Sequence, residues 1–262
     1  MLRITTIIFL SLFFLNSCST TRPEGKTEAE VLFKEAQRLK SKGRYLLAIE
    51  RLNTIRSKYP YSYYSTHAEL LNADILFEQE NYAEAAAAYI VFKDFHPKHK
   101  QRSYVLYRVA ESFYNQLPDT FDRDLTPGYE AINYYRELLR VYGKSDYAKD
   151  AREKIKICED LIKQKEQYIA DFYFKTDVFD AAKFRYKLIL ESFSDAELRQ
   201  HSIERLLQSA AQLGDMKDCR FYFRKYQKEA NEDVREEMNS SLETCKEFQA
   251  INDQKKKEES EG

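Results

Sequence analysis

The sequence predicts an all-α fold built from repeated pairs of helices. One observation is a helix pair that occurs twice with the same landmarks. A second is the low content of chain breakers, since only 6 glycines and 5 prolines argue against a loop-rich β fold. A third is the set of 20 tyrosines and 17 phenylalanines, which suit helices packed by aromatic rings onto small residues. With 43 % hydrophobic and 32 % charged residues, the 262-residue chain can bury a core and is not disordered as a whole.

The repeated unit occupies residues 29–60 and again 66–97. Each copy has a small residue in a first helix, a polar turn, an aromatic residue opening a second helix, two large apolar residues after an alanine, and a closing proline. The corresponding pairs are Ala36 and Ala73, Tyr45 and Tyr82, Ala48 and Ala85, Leu52 and Tyr89, Ile55 and Phe92, Pro60 and Pro97. Alanines allow close helix approach, and proline prevents continuation of the helix. This pattern is typical of tetratricopeptide repeats (TPR) and predicts a right-handed superhelical solenoid of about five helix pairs.

The N-terminus has the pattern of a bacterial lipoprotein signal. Arg3 precedes an apolar run at residues 4–15, and Leu-Asn-Ser-Cys follows, ending at Cys18. The run is too short to span a bilayer, and the cysteine stands where a lipoprotein is cleaved and acylated. We therefore predict a signal peptide at 1–17, lipidation of Cys18 and a tether at 18–26. The alternative is an ordinary secretory signal in which Cys18 is incidental. Ser19 in the next position favours sorting to the outer membrane.

The rest of the chain continues the helix pairs with two irregularities. Residues 116–126 form an acidic insertion in the third pair, either functional or a tolerated surface insertion. No breaker occurs in 146–175, which predicts one long helix joining the third and fourth pairs. A degenerate fifth pair and a capping helix at 233–254 complete the array. The predicted division is an N-terminal TPR half at 27–142, a C-terminal half at 143–252 and a disordered tail at 253–262.

No catalytic or cofactor motif is present. The sequence lacks a glycine-rich phosphate loop, a His-Glu-x-x-His motif and a Gly-x-Ser-x-Gly motif, and its four histidines lack metal-ligand spacing. The net charge of −1 gives no reason to expect nucleic-acid binding. We therefore predict a binding scaffold with no enzymatic activity, cofactor or metal. Cys219 and Cys245 lie on adjacent predicted helices and form a candidate disulfide; buried reduced thiols are the alternative.

Several local strings, together with the lipoprotein signal, resemble the BamD family of TPR lipoproteins from the outer-membrane β-barrel assembly (BAM) machinery. They lie at residues 56–64, 95–99, 104–107, 119–124, 142–151 and 166–173. The resemblance covers nearly all of the mature chain. The chain departs from the family pattern at Gly143 and Ser194, which replace prolines, and in a longer last helix.

The resemblance implies a protein anchored at the periplasmic face of the outer membrane. Its C-terminal half is expected to bind a POTRA domain of a BamA-like barrel subunit, and other Bam lipoproteins are further possible partners. Arg185 aligns with a family arginine that contacts the POTRA domain; the alternative is a solvated helix arginine. The N-terminal half is expected to receive unfolded outer-membrane proteins by their C-terminal segments.

The repeat geometry predicts a groove for such a client segment. An extended peptide requires apolar pockets together with polar groups for its backbone. The predicted groove residues are Phe33, Gln37, Tyr59, Tyr61, Tyr64, Leu70, Asp74 and Phe77. The alternative for each tyrosine is that it simply packs the repeats together.

Two other functions remain open at this level. A pilotin-like TPR lipoprotein that delivers secretin subunits to the outer membrane would share the anchor and the repeats, but should lack the insertion and the long helix. A lytic transglycosylase would also be a helical superhelix, but it needs an added catalytic lobe for which little chain remains after the fifth pair.

Overall fold

The computed structural model describes residues 22–261, and within them the chain forms eleven helices and no strand. The predicted signal peptide, Cys18 and the first part of the tether lie outside the described residues. The helices are α1 Glu28–Ser41, α2 Tyr45–Lys58, α3 Tyr63–Glu78, α4 Tyr82–Phe95, α5 Arg102–Tyr114, α6 Thr126–Tyr142, α7 Ala148–Lys175, α8 Phe179–Ser192, α9 Ala196–Gln212, α10 Met216–Tyr226 and α11 Glu232–Glu261. The prediction of an all-α fold of TPR-like helix pairs is confirmed.

Local sequence explains where the helices begin. The hydroxyl of Thr27 accepts a hydrogen bond from the amide of Glu30, and that of Ser62 accepts one from the amide of Tyr64, so both residues cap a helix. Asp195 and Asp215 do the same for α9 and α10. At the end of α6, a Cβ on Gly143 would lie 2.6 Å from the carbonyl oxygen of Leu139, so only glycine fits there.

The chain divides into two compact units, Met1–Ser112 and Phe113–Gly262. In the described part of unit 1, α1 packs on α2, α2 on α3 and α3 on α4. Its core contains the alanines that the repeat pattern singled out, with Ala36, Ala48 and Ala73 fully buried beside Leu52 and Ile55. Small residues therefore bring the helix axes together, as predicted.

Unit 2 begins thirty residues before the boundary at 142/143 that the repeat pattern predicts, and the division into two TPR halves stays a prediction. The insertion explains the difference, because it packs on the long helix α7. The ring of Phe121 lies 5.5 Å from that of Tyr168, the ammonium of Lys165 donates to the carbonyl oxygen of Arg123, and Leu125 is buried. The insertion and α6 thus share unit 2 with the helices that follow, whereas most of α5 belongs to unit 1.

The segment 253–262, for which we predict a disordered tail, differs in the structure, where α11 runs to Glu261. Lysine and glutamate favour the helix, and the segment contains neither glycine nor proline before residue 262. Among the described residues, no helix is both long enough and apolar enough to cross a bilayer.

Candidate functional site

The predicted groove residues in unit 1 differ in their exposure to solvent. Gln37 is exposed on α1, and Tyr61 is fully exposed, in the turn between α2 and α3. Phe33, Tyr59 and Tyr64 are half-buried against the core of the unit, with the rings of Phe33 and Tyr64 5.6 Å apart. These three side chains therefore pack against the repeats and remain partly exposed.

Leu70 does not belong to a groove, and this part of the prediction is wrong. Its side chain is 5 % exposed, which leaves no surface for a peptide. Leu70 occupies a turn of α3 that faces the interior, a placement that depends on neighbouring helices and not on the period of α3 alone.

Asp74 and Phe77 lie in a polar and aromatic cluster that joins α3, α4 and α5. One carboxylate oxygen of Asp74 accepts hydrogen bonds from the hydroxyls of Tyr89, at 2.6 Å, and Tyr104, at 2.7 Å. The guanidinium of Arg108 donates to the Tyr104 hydroxyl and lies 3.9 Å from the ring centre of Phe77. Burial and the nearby Asp74 carboxylate raise the pKa of Tyr89, and they raise the pKa of Tyr104 to about 12. The carboxylate of Asp74 is thus held in place by two hydroxyls.

A second cluster of unit 1, which sequence reasoning missed, surrounds the turn between α4 and α5. An open recess of about 610 Å³ is lined by Tyr63, Thr66, His67, Phe95, His96, Pro97, Lys98, His99 and Lys100. The ring of His67 lies 4.1 Å from that of Tyr63 and 5.8 Å from that of His99. Burial and the neighbouring imidazoles of His67 and His96 lower the pKa of His99. The string His-Pro-Lys-His is the visible sequence signal for this recess, although in the sequence it indicates only a turn and the family resemblance.

In the aromatic recess, the Nε2 atom of His96 lies 2.8 Å from the carboxylate of Glu69. Among the described residues, no three histidine, cysteine, aspartate or glutamate side chains are grouped to hold a metal ion.

In unit 2, Arg185 lies on α8 at the edge of a recess of about 660 Å³ between α6, α7 and α8. Its Nη1 atom is 3.3 Å from a carboxylate oxygen of Glu166 on α7, so the side chain is oriented by an ion pair. The recess walls combine basic and acidic side chains, among them Arg136 paired with Glu159 at 2.7 Å and Lys163 paired with Asp160 at 2.6 Å. Burial, together with Glu166, raises the pKa of Tyr129 at the recess mouth. This mixed surface suits a polar protein interface.

The structure pairs Cys219 on α10 with Cys245 on α11, with their Cα atoms 6.7 Å apart. Cys158 is the free cysteine of the described residues; it is buried, and burial raises the pKa of its thiol to about 11. A thiol of that kind is unreactive at neutral pH.

The fold and both candidate surfaces define a helical-repeat binding scaffold. The family model of the outer-membrane lipoprotein YfiO matches residues 25–221, which is most of the chain and reaches across both units as far as α10. The chain belongs to this family of outer-membrane lipoproteins.

Individual relatives agree with the family match. The outer membrane protein assembly factor BamD of Vibrio cholerae is 29 % identical over 192 residues, covering 70 % of this chain and 80 % of the relative. BamD of Neisseria gonorrhoeae is 27 % identical over 205 residues, covering 72 % and 77 %. A solved complex of the TPR2AB domain of yeast Sti1 with pHSP90 overlaps 90 % of this chain and 96 % of its own, with 16 % identity and a TM-score of 0.42.

Proposed function

We propose that this chain is a lipid-anchored scaffold of an outer-membrane β-barrel assembly machinery. The observation that carries the proposal is the family match over residues 25–221, supported by relatives that are outer membrane protein assembly factors. In this proposal Cys18 carries the acyl chains, and both TPR units stand at the periplasmic face of the membrane. Several acyl chains give firmer attachment than one, since each buried methylene adds about 0.8 kcal/mol.

The anchor is tested by changing Cys18 to alanine. We expect the variant to leave the outer-membrane fraction and appear in the soluble periplasmic fraction. Unchanged partition between membrane and periplasm would contradict lipidation at this residue.

The recess around Arg185 is the proposed contact for a POTRA domain of the barrel subunit. A guanidinium has five N–H donors, and the contact with Glu166 is made by Nη1. A partner carboxylate can therefore approach the rest of the planar fork and pair with it bidentately. The recess beside it offers the exposed ring of Tyr129, and tyrosine is a common interface anchor.

Affinity capture from detergent-solubilised outer membrane tests this contact and the function together. We expect the unchanged chain to recover a large β-barrel protein with periplasmic repeats, and Arg185→Ala to recover much less. Lys187→Ala is the matched control, because Lys187 lies on the same helix, is exposed and pairs only at 3.9 Å with Glu191. Equal recovery with both variants would remove Arg185 from the interface.

A pilotin role for secretin subunits is the second candidate. It is less well supported, because the chain has both features that a pilotin should lack: the insertion between α5 and α6, and α7, which is 28 residues long. Recovery of a secretin in the same capture would redirect the assignment.

The face shared by α1 and α3 is the proposed site for a client's C-terminal segment. Gln37 supplies an exposed polar side chain, and Phe33 and Phe77 supply half-buried aromatic edges. A photo-crosslinker placed at Gln37 should label the last strand of an unfolded barrel client. The matched control is Leu46, which is 80 % exposed on α2 and lies away from this face. Labelling at Leu46 but not at Gln37 would place the client elsewhere.

A further inference from the structure

One end of unit 1 gathers exposed aromatic rings. Since α1 to α4 form successive hairpins, the start of α1, the end of α2, the start of α3 and the end of α4 lie at the same end of the unit. The contacts agree, because His67 on α3 packs against Phe33 on α1 and against His99 in the α4–α5 turn. We call the surface there the aromatic end and define it by Tyr61, Tyr63, Phe95, Lys98 and Lys100.

The aromatic end has the composition of a membrane–water interface. Tyr61, Tyr63 and Phe95 are 101 %, 66 % and 76 % exposed, far more than rings of this size usually are. Amphipathic aromatic rings are enriched at the level of lipid headgroups, where one part of the ring is apolar and another is hydrated. Lysines beside them can lay their methylene chains on the apolar surface and keep the ammonium groups in water.

The charge of this end is complementary to anionic lipid. Lys98 and Lys100 are exposed at the recess, and Arg56 and Lys58 are exposed at the end of α2. Of the acidic groups at this end, Glu69 lies 2.8 Å from His96 and 4.0 Å from Arg56, and Asp94 lies 3.5 Å from the ammonium of Lys93. At the start of α1, Glu28 pairs with Arg22, Glu30 pairs with Lys34, and Glu24 is exposed. Lys58, Lys98 and Lys100 belong to none of these pairs, so cations are in excess over the carboxylate of Glu24.

The anchor leaves from this same end. The carbonyl oxygen of Glu24 accepts a hydrogen bond from the ammonium of Lys34, and the amide of Lys26 donates to Glu30, so the chain is tied to α1 from Glu24 onward. Residues 19–23 remain between Cys18 and that point, and at full extension they span at most about 18 Å. The opposite end of unit 1 is farther from the anchor by the length of α1, about 20 Å for 14 residues.

We infer that the aromatic end of unit 1 docks on the anionic headgroup surface of the membrane that holds the anchor. This inference rests on the proposed lipidation of Cys18. In this arrangement Tyr61 contacts the membrane. The client face on α1 and α3 begins near the lipid surface and extends away from it along the helix axes. Docking would hold unit 1 in one orientation, where a lipid tether alone would let it rotate.

The absence of tryptophan from the sequence permits a direct test with single reporters. The lipidated full chain, carrying Tyr61→Trp or Phe95→Trp, is reconstituted into vesicles of phosphatidylethanolamine and phosphatidylglycerol that contain a bromine-labelled lipid. We expect a blue shift of the emission and strong quenching at both positions. Leu46→Trp is the matched control at the opposite end of the same unit, and its emission should keep the position and intensity of a solvent-exposed ring.

The lysines are tested on the chain that starts at residue 19, which contains every described residue of both units but no anchor. Each lysine near an anionic surface should contribute about fivefold to the vesicle affinity. Lys98→Gln with Lys100→Gln should therefore weaken binding to anionic vesicles by about 25-fold. Lys42→Gln with Arg44→Gln removes two exposed cations from the turn between α1 and α2, at the opposite end of the unit, and should not weaken the binding.

The outcomes separate the inference from the anchor. Failure of the lipidated chain to float with the vesicles overturns both. Flotation with equal quenching at positions 46, 61 and 95 overturns the docking alone. Tryptophan emission at positions 61 and 95 that is unchanged by lipid but shifts when a client's C-terminal peptide is added also overturns the docking. That result would assign the aromatic end to client binding.

Discussion

The two units contain the same polar cluster at the same offset in sequence, and their differences show what each unit depends on. Asp74, Tyr89, Tyr104, Phe77 and Arg108 form it in unit 1. In unit 2 the corresponding residues are Asp171, Tyr186, His201, Phe174 and Arg205. Each aspartate lies on the first helix of a pair and accepts a hydrogen bond from a tyrosine of the second helix, at 2.6 Å in unit 1 and 2.5 Å in unit 2.

The third member of the cluster comes from the next helix along the chain, and here the units differ. Tyr104 donates to Asp74 at 2.7 Å, whereas the Nε2 atom of His201 lies 2.7 Å from Asp171. In each unit an arginine covers a phenylalanine, 3.9 Å from the ring centre for Arg108 and 4.7 Å for Arg205. One half-buried carboxylate thus connects three helices through hydrogen bonds, which apolar packing within a single helix pair does not do.

Unit 2 has in addition a covalent link between α10 and α11, and its removal is the largest change we expect. Closing a loop of 26 residues should stabilise the folded unit by about 3.5 kcal/mol. Cys219→Ala with Cys245→Ala should therefore lower the free energy that protects the amides of unit 2 from exchange by about 3.5 kcal/mol. Hydrogen exchange of peptides from each unit measures this, and unit 1 serves as the internal control.

Alkylation with and without reductant checks the premise of that prediction. Apart from the acylated Cys18, the mature chain has three cysteines. After unfolding, one of their thiols should react before reduction and all three should react after it. Three reactive thiols without reductant would show that α10 and α11 are held together by packing alone.

Loss of the shared aspartate should have the next largest effect and should be similar in the two units. Asp74→Ala leaves the fully buried Tyr89 without its acceptor, and Asp171→Ala does the same to Tyr186. An unsatisfied buried hydroxyl costs about 1–3 kcal/mol, so each variant should lose about 2 kcal/mol in its own unit. Adding Tyr89→Phe or Tyr186→Phe should recover part of the loss. A loss confined to one unit would break the equivalence of the clusters.

The clusters also show how far the sequence could predict this molecule. The helix pairs followed from small residues and apolar periodicity, because those are local signals, and Ala36, Ala48 and Ala73 lie where they were expected. The role of Asp74 could not be deduced locally, since its partners come from two other helices. Helical periodicity places Leu70 in the groove, because periodicity within α3 does not show which side of α3 is covered by a neighbouring helix.

The pH dependence of unit 2 sharpens the comparison further. Although burial opposes ionisation, the hydrogen bonds from His201 and Tyr186 lower the pKa of Asp171. The stabilisation from this carboxylate is therefore fully present above its ordinary pKa near 4 and is lost as pH falls through the lower folded value. Asp171→Asn should flatten the loss of unit 2 stability as the pH falls below about 4. Unfolding by urea at several pH values measures it, and an unchanged slope would contradict the prediction.

The smallest effects concern the turns between paired helices, where the two units are again matched. The turn residue has a left-handed backbone in four pairs: φ is 69° at Gly43, 61° at Glu80, 59° at Asp177 and 63° at Gly214. A residue with a side chain is destabilised by about 1 kcal/mol in the left-handed region. Replacement by glycine removes this strain, but glycine loses more conformational entropy on folding, which cancels part of the gain. Glu80→Gly and Asp177→Gly should each stabilise their unit by about 0.5 kcal/mol.

The reverse changes, Gly43→Ala and Gly214→Ala, should destabilise by about 1 kcal/mol. At Gly43 an added Cβ meets no atom within 4 Å, so backbone strain and not crowding would be the cause there. Measuring the four variants by urea unfolding gives two gains and two losses if backbone geometry governs these turns. If instead Glu80→Gly and Asp177→Gly both lose stability, the acidic side chains contribute more to their turns than their strained backbone costs, and the two kinds of turn are not equivalent.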